Sequence, residues 1–163
     1  MEDRIPITPH GYEAMKAELQ KLKSVDRLEN VKEIETALAH GDLSENAEYH
    51  AAKEKQGLIA GKIAQLEHNL ALAQVIDNSG QDADRVRFGA TVKLEDIDSG
   101  DTVIYTIVGE YEADAKEGRI SVTSPVARAI MNRAAGDSVT VRIPKGEREF
   151  EVIDIEYLVP QSD

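Results

Sequence analysis

A chain of 163 residues has room for one domain or two small ones, and with no cysteine it holds neither a disulfide framework nor a thiolate metal site. The formal net charge is −12, with 14 acids against 9 bases in residues 1–77 and 17 against 10 in residues 78–163. Both halves are acidic, which argues against strong direct binding to nucleic acid, where phosphate neutralisation dominates affinity, and favours partners with positive surfaces or carboxylates that meet cations. The opening "MEDRIPITPHGYEAM" has no apolar signal segment and no later run reaches membrane-spanning length, so the expectation is a soluble cytosolic protein without membrane contact.

Residues 8–77 read as helix. Thr8 followed by Pro9 is a start signal, a cap and then proline at the first helical position. Met15, Leu19 and Leu22 are spaced four and three; Ile34 and Leu38 resume the stripe, with Val25, Leu28 and Val31 between. After "AHGDLS" a second stripe runs through Ile59, Ile63, Leu66, Leu70 and Ala73. This is the 3.5-residue period of a coiled-coil seam. One break between two like stripes predicts an antiparallel hairpin whose arms of about 30 residues extend ~45 Å, which places the turn far from any globular body. The stripe side chains are expected in the core. Gly57 and Gly61, each costing ~1 kcal/mol against alanine, are expected where the first helix comes close.

The polar "DNSGQDAD" predicts a linker, giving a hairpin over 1–77 with its tip near 40–45, a linker over 78–84 and a globular part over 85–163. There the period changes to two. "ATVKLEDI", "TVIYTIV", "RISVT", "SVTVRI" and "REFEVIDIEYLV" read as strands, with turns at "DSGD" and "PKGE". In the last strand the apolar phase slips from Phe150 and Val152 to Ile153, Ile155 and Tyr157, which predicts a bulge near 152–153. "SPVARAIMNRAAGD" reads as one short helix, capped by Ser124, opened by Pro125 and ended by Gly136. The fold class is α+β: a helical hairpin, then a small antiparallel sheet with one helix on it.

The hairpin tip carries the chemistry. Asp42-x-x-Glu45 has capping-box spacing with Asp in the Ser/Thr place, and the helix dipole favours both carboxylates there. With Asp42 as cap, Glu45 and Tyr49 follow near one face of the first turns. Two ionised carboxylates at an open tip also form an incomplete site for Mg²⁺, which takes one or two carboxylates plus ligands from elsewhere. His40 and His50 bracket the tip without zinc-site spacing and read as solvated.

"HGDLSENAEYHAAKEKQG" and "SVTSPVARAIMNRAAGD", with "FGATV" and "YTIVGEYEAD" in the same order, resemble the Gre family of bacterial transcript cleavage factors over nearly the whole chain. The resemblance implies a coiled-coil hairpin joined to an FKBP-like globular domain. It implies a monomer that docks on RNA polymerase at the rim of its secondary channel and inserts the hairpin. The polymerase then cleaves the nascent RNA 3′ end of a backtracked complex, so the protein is a stimulator and not itself an enzyme. Asp42 and Glu45 match the family's tip acids, which implies that they help hold a second Mg²⁺ shared with the polymerase, no ion being held tightly alone, and position the attacking water. Asn46 and Tyr49 are read as supports of the tip. Ser124 and Pro125 match the docking motif, though cap and first helical residue account for them equally. Arg27, Lys32, Lys53 and Lys55 are candidates for contact with extruded RNA. Asp26, Glu29, Glu33 and Glu54 interrupt them, which suggests the branch of the family that handles short backtracks. The alternatives are an inhibitory Gre-like channel binder, against which Leu43 and Ser44 between the acids argue, and a coiled-coil chaperone or binding module. An FKBP-type isomerase would need an aromatic-lined pocket that Phe88, Tyr105, Tyr111, Phe150 and Tyr157, several of them expected in strand cores, do not promise. A free-standing nuclease would cleave RNA without polymerase.

Overall fold

The computed structural model describes residues 3–41 and 45–158. The chain divides into two compact units: one is Tyr12–Ala73, the other joins Asp3–Gly11 to the chain from Gln74 onward.

Helix α1 (Pro9–Lys21) starts as expected, with the Thr8 hydroxyl accepting the Gly11 N–H at 3.1 Å. It runs through a π-helical turn, Leu22–Asp26, into α2 (Arg27–Leu38). Helix α3 (Ala47–Leu72) runs back alongside. Lys23 meets Glu67 at 3.4 Å, Asn30 Nδ2 donates to the Ala52 carbonyl at 3.0 Å, and Asn46 Nδ2 donates to the Ala37 carbonyl at 2.7 Å. Partner numbers fall on one arm as they rise on the other, so the hairpin is antiparallel.

The seam departs from the expected stripe. On the first arm its buried positions are Met15, Leu22, Asn30 and Ala37, spaced seven, eight and seven. The extra residue falls at the π turn, and one residue rotates a helix face by about 100°. Leu28 (55% exposed) and Leu38 (46%), with Val25 and Val31, are therefore turned out of the core. Asn30, 1% exposed, takes the seam position, and its bond to Ala52 satisfies the buried amide. The Ser24 hydroxyl donates to the Gln20 carbonyl one turn back, at 2.7 Å, a local bond of the kind that competes with the helical ladder. Leu22, Ile59 and Ile63 pack together with Leu19 and Leu66 against them. Gly57 and Gly61 do not mark a close approach, since an added Cβ at either meets nothing within 4 Å.

Helix α3 stops at Leu72, short of the expected 77, because Ala73–Val75 form a strand, β2, that pairs with β1 (Ile5–Ile7). Three residues are too few for alternation to announce a strand. Beyond them lie β3 (Thr91–Asp96), β4 (Thr102–Val108), β5 (Arg119–Ser121), β6 (Ser138–Ile143) and β7 (Gly146–Glu156), in sheet order β5-β4-β3-β7-β6. The sheet is mixed rather than antiparallel throughout, because β5 pairs with β4 in parallel. The long connection 109–118 makes this possible, since it carries the chain back along β4, which no tight hairpin does. The expected bulge is present: Lys93 faces Asp154 and Leu94 faces Val152, leaving Ile153 as the extra residue.

Helix α4 (Pro125–Ile130) has Ser124 as cap, accepting the Ala127 N–H at 3.3 Å, with Pro125 opening it. It ends six residues before Gly136, where the sequence reading had placed its stop. Asn132 takes a left-handed conformation, φ 66°, and its N–H turns to the Val86 carbonyl. Ala127 and Ile130 close a core with Val92, Leu94, Ile107, Val141 and Val152, each at most 1% exposed. Within this unit Glu112 ties Thr8 to Gly109. Its Oε2 accepts the Gly109 N–H at 2.7 Å and the Thr8 N–H at 3.1 Å, and its Oε1 bonds the Thr8 hydroxyl.

Candidate functional site at the hairpin tip

The first arm ends with Ala39 as C-cap, and Gly41 follows at φ 101°, a conformation suited to glycine. The second arm begins with Asn46 as N-cap: its Oδ1 accepts the Tyr49 N–H at 3.0 Å. The capping expectation for Asp42 is therefore corrected, since the helix starts four residues later than a cap at 42 requires and Asn46 fills that role. Asp42 itself, with Leu43 and Ser44, lies outside the described residues. Asn46 is used twice, its oxygen capping α3 and its nitrogen holding the last turn of α2 through the Ala37 carbonyl. Sequence reading had it as a support only. The signal was present, because asparagine is a strong N-cap and sits just before "AEYHAA".

Glu45 is exposed, and among the described residues it has no ion-pair or hydrogen-bond partner. Its carboxylate is free of the cap. Tyr49 is half-buried and its ring stands edge-on to His50, centroids 5.7 Å apart. His40 Nε2 lies 3.8 Å from Glu48 Oε2, both side chains in solvent. Among the described residues no three His, Cys, Asp or Glu side chains converge as a metal site. A lone open carboxylate fits a partial Mg²⁺ shell, completed by another molecule, and does not fit a self-sufficient one.

The four RNA-contact candidates separate. Arg27 and Lys53 line one groove between the arms, together with Val31 and Gly57. Lys55 is turned to Glu33 at 2.8 Å, and that hydrogen bond, reinforced by the carboxylate's charge, raises the ammonium above its ordinary pKa. Lys32 is exposed and is not among the groove's lining. Near α4, Ser121 and Thr123 share a hydroxyl contact at 2.7 Å, and Pro125 is exposed beside Ser124.

Residues 5–75 match the model of the N-terminal part of transcription elongation factors, and residues 81–157 match that of the GreA/GreB C-terminal part. A transcription elongation factor GreA of Anaeromyxobacter sp. (strain K) is 59% identical over 155 residues, covering 95% of this chain and 93% of that protein. One from Hyphomonas neptunium is 54% identical, covering 95% and 99%. The solved structure of a Gfh1 protein of Thermus thermophilus aligns at TM-score 0.42 and 27% identity, covering 94% of this chain and 99% of that one, too loose a superposition to add to the sequence matches. The class is therefore that of a transcription elongation factor. The chain belongs to the GreA/GreB family. Its partner is RNA polymerase, whose own transcript cleavage it stimulates without being an enzyme itself.

Proposed function

We propose that the hairpin passes through the secondary channel of RNA polymerase and brings Asp42 and Glu45 to its catalytic centre. The observation that supports this most is the division of labour at the turn: Asn46 caps α3, and the Glu45 carboxylate stands exposed with no partner among the described residues. The 26 residues of α3 extend it about 39 Å along its helix axis. Asp42 and Glu45 would each give an oxygen ligand to a Mg²⁺ shared with the polymerase. When bound there, such an ion would supply positive charge for the cleaved phosphodiester and for a deprotonated water. The chain's own share is to place the carboxylates and orient the water toward the phosphorus of the extruded RNA 3′ segment. Asn46 and Tyr49 hold the turn. Ser124 and Pro125 dock on the channel rim. Of the basic candidates, Arg27 and Lys53 share a groove and are the better placed to meet RNA. The protein acts as a monomer in the cytoplasm, where its polymerase works.

The test is a stalled polymerase complex carrying end-labelled RNA. Wild-type protein shortens the transcript in a Mg²⁺-dependent reaction, and Asp42→Asn with Glu45→Gln abolishes this. Full cleavage by the doubly neutralised variant, or cleavage of free RNA by the purified protein, overturns the reading.

A further inference from the structure

The stretch 118–136 is the longest in the chain without an aspartate or glutamate, in a molecule that carries 31 of them. A second acid-free stretch, 85–94, follows Asp84. The fold joins the two. The Val86 N–H donates to the Arg133 carbonyl at 2.9 Å, the Asn132 N–H donates to the Val86 carbonyl at 2.8 Å, and Arg85 Nη1 donates to the Asn132 carbonyl at 2.9 Å. Arg128 lies one turn along α4 from Ser124, its N–H bonded to the Ser124 carbonyl at 3.0 Å. Arg85, Arg128 and Arg133 are all exposed, and among the described residues none has a carboxylate partner. Arg87 beside them is paired with Asp84 at 2.9 Å.

We propose that Arg85, Arg128 and Arg133 form a docking surface, flanking the Ser124–Pro125 turn, for an acidic protein surface on RNA polymerase. This rests on the reading that the globular unit docks there. Guanidinium forks match carboxylates in pairs, and a charge left unpaired at the surface of an acidic unit raises the rate and fixes the register of encounter with an acidic patch. A nucleic acid strand is the poorer occupant. Its phosphates would run on past the patch to Asp82, Asp84 and Asp137, and the neighbouring aromatics, Phe88 and Tyr157, are each 8% exposed and offer no stacking face.

The experiment measures affinity of the full chain for RNA polymerase at low and high salt. Arg128→Gln with Arg133→Gln is expected to weaken binding about tenfold at low salt, with the gap closing as salt rises. Lys116→Gln with Lys145→Gln, which changes net charge equally outside the patch, leaves binding unchanged. Arg128→Lys restores only part of the loss, because charge returns without the fork. Equal loss in both double variants, or none in the arginine variant, overturns the proposal. So does an arginine variant that loses affinity for single-stranded RNA instead of for polymerase. The tip reading is tested separately: its variants are expected to abolish cleavage and leave polymerase affinity intact, the reverse of what is expected here, and cleavage that survives in them overturns that reading alone.

Discussion

At the tip, neighbouring residues divide the work. Asn46 carries the structure and Glu45 the free charge, so stability and activity should separate when each is changed. Asn46→Ala removes a cap and a cross-arm bond and is expected to cost at least about 1 kcal/mol, seen as a lower thermal midpoint and reduced helicity. Asp42→Asn with Glu45→Gln should melt with the wild type. In the globular unit, Asp96 is 4% exposed and accepts Arg148 at 2.8 Å and the Asp98 and Ser99 N–H groups at 3.0 and 3.3 Å. The Arg148 hydrogen bond, helped by those amides, holds its carboxyl below the ordinary carboxylate range. A depressed folded value means that the stabilisation is present above the unfolded value of about 3.9 and is lost as pH falls through the lower folded one. Melting curves of wild type and Arg148→Gln should therefore differ most at neutral pH and converge in strong acid. Asp42 and Glu45 draw attention in the sequence because two acids fall at the single break between two helical stripes. The true cap was missed because Asp42-x-x-Glu45 mimics a capping box, and only backbone geometry shows which donor is satisfied.

Among the elements, the helical arms and most strands follow from periodicity alone. The misread helical stripe has its origin in a single-residue change of phase. The slip at Ile153 was visible because strand alternation reverses sharply. The same event in a helix turns the face by only about 100°, and plausible apolar residues, Leu28 and Val31, stood ready to continue the wrong stripe. Deleting Ser24 should close the π turn, leave Leu22 and Asn30 seven apart, and melt at or above the wild type. Deleting Val31 instead moves Ala37 off the seam and should lower the midpoint clearly; circular dichroism melts distinguish the two. The parallel pairing of β5 was illegible, since strand direction depends on where a connection lands rather than on the strand's own residues. The Glu112 clasp was equally hidden, joining residues 104 apart in sequence. Glu112→Ala should cost roughly 1–3 kcal/mol by denaturant unfolding. Gly109→Ala should disturb the same place, because its Cβ would lie 2.2 Å from the Pro6 carbonyl oxygen.

For the molecule as a whole, the family and the order of its two parts were legible, because two long motifs in register leave little freedom. Reach is the property that belongs at this scale. Removing residues 15–21 and 64–70 takes one heptad from each arm, preserves seam phase and shortens the hairpin by ~10 Å. If the tip must arrive at a fixed depth, this variant keeps its affinity for polymerase and loses stimulated cleavage, as measured by competition binding and transcript shortening in parallel.

The pairing of β1 with β2 makes the arms an excursion that departs from and returns to the same seam of backbone hydrogen bonds. The helices are thus a cassette, bounded in the chain by two strands that pair with each other. Excising residues 9–71 and bridging the gap with a short glycine-containing linker should leave an autonomous remainder, silent in cleavage yet able to occupy the polymerase against the intact factor. By the same logic, hairpins of other lengths or with other termini are interchangeable cargo for this base.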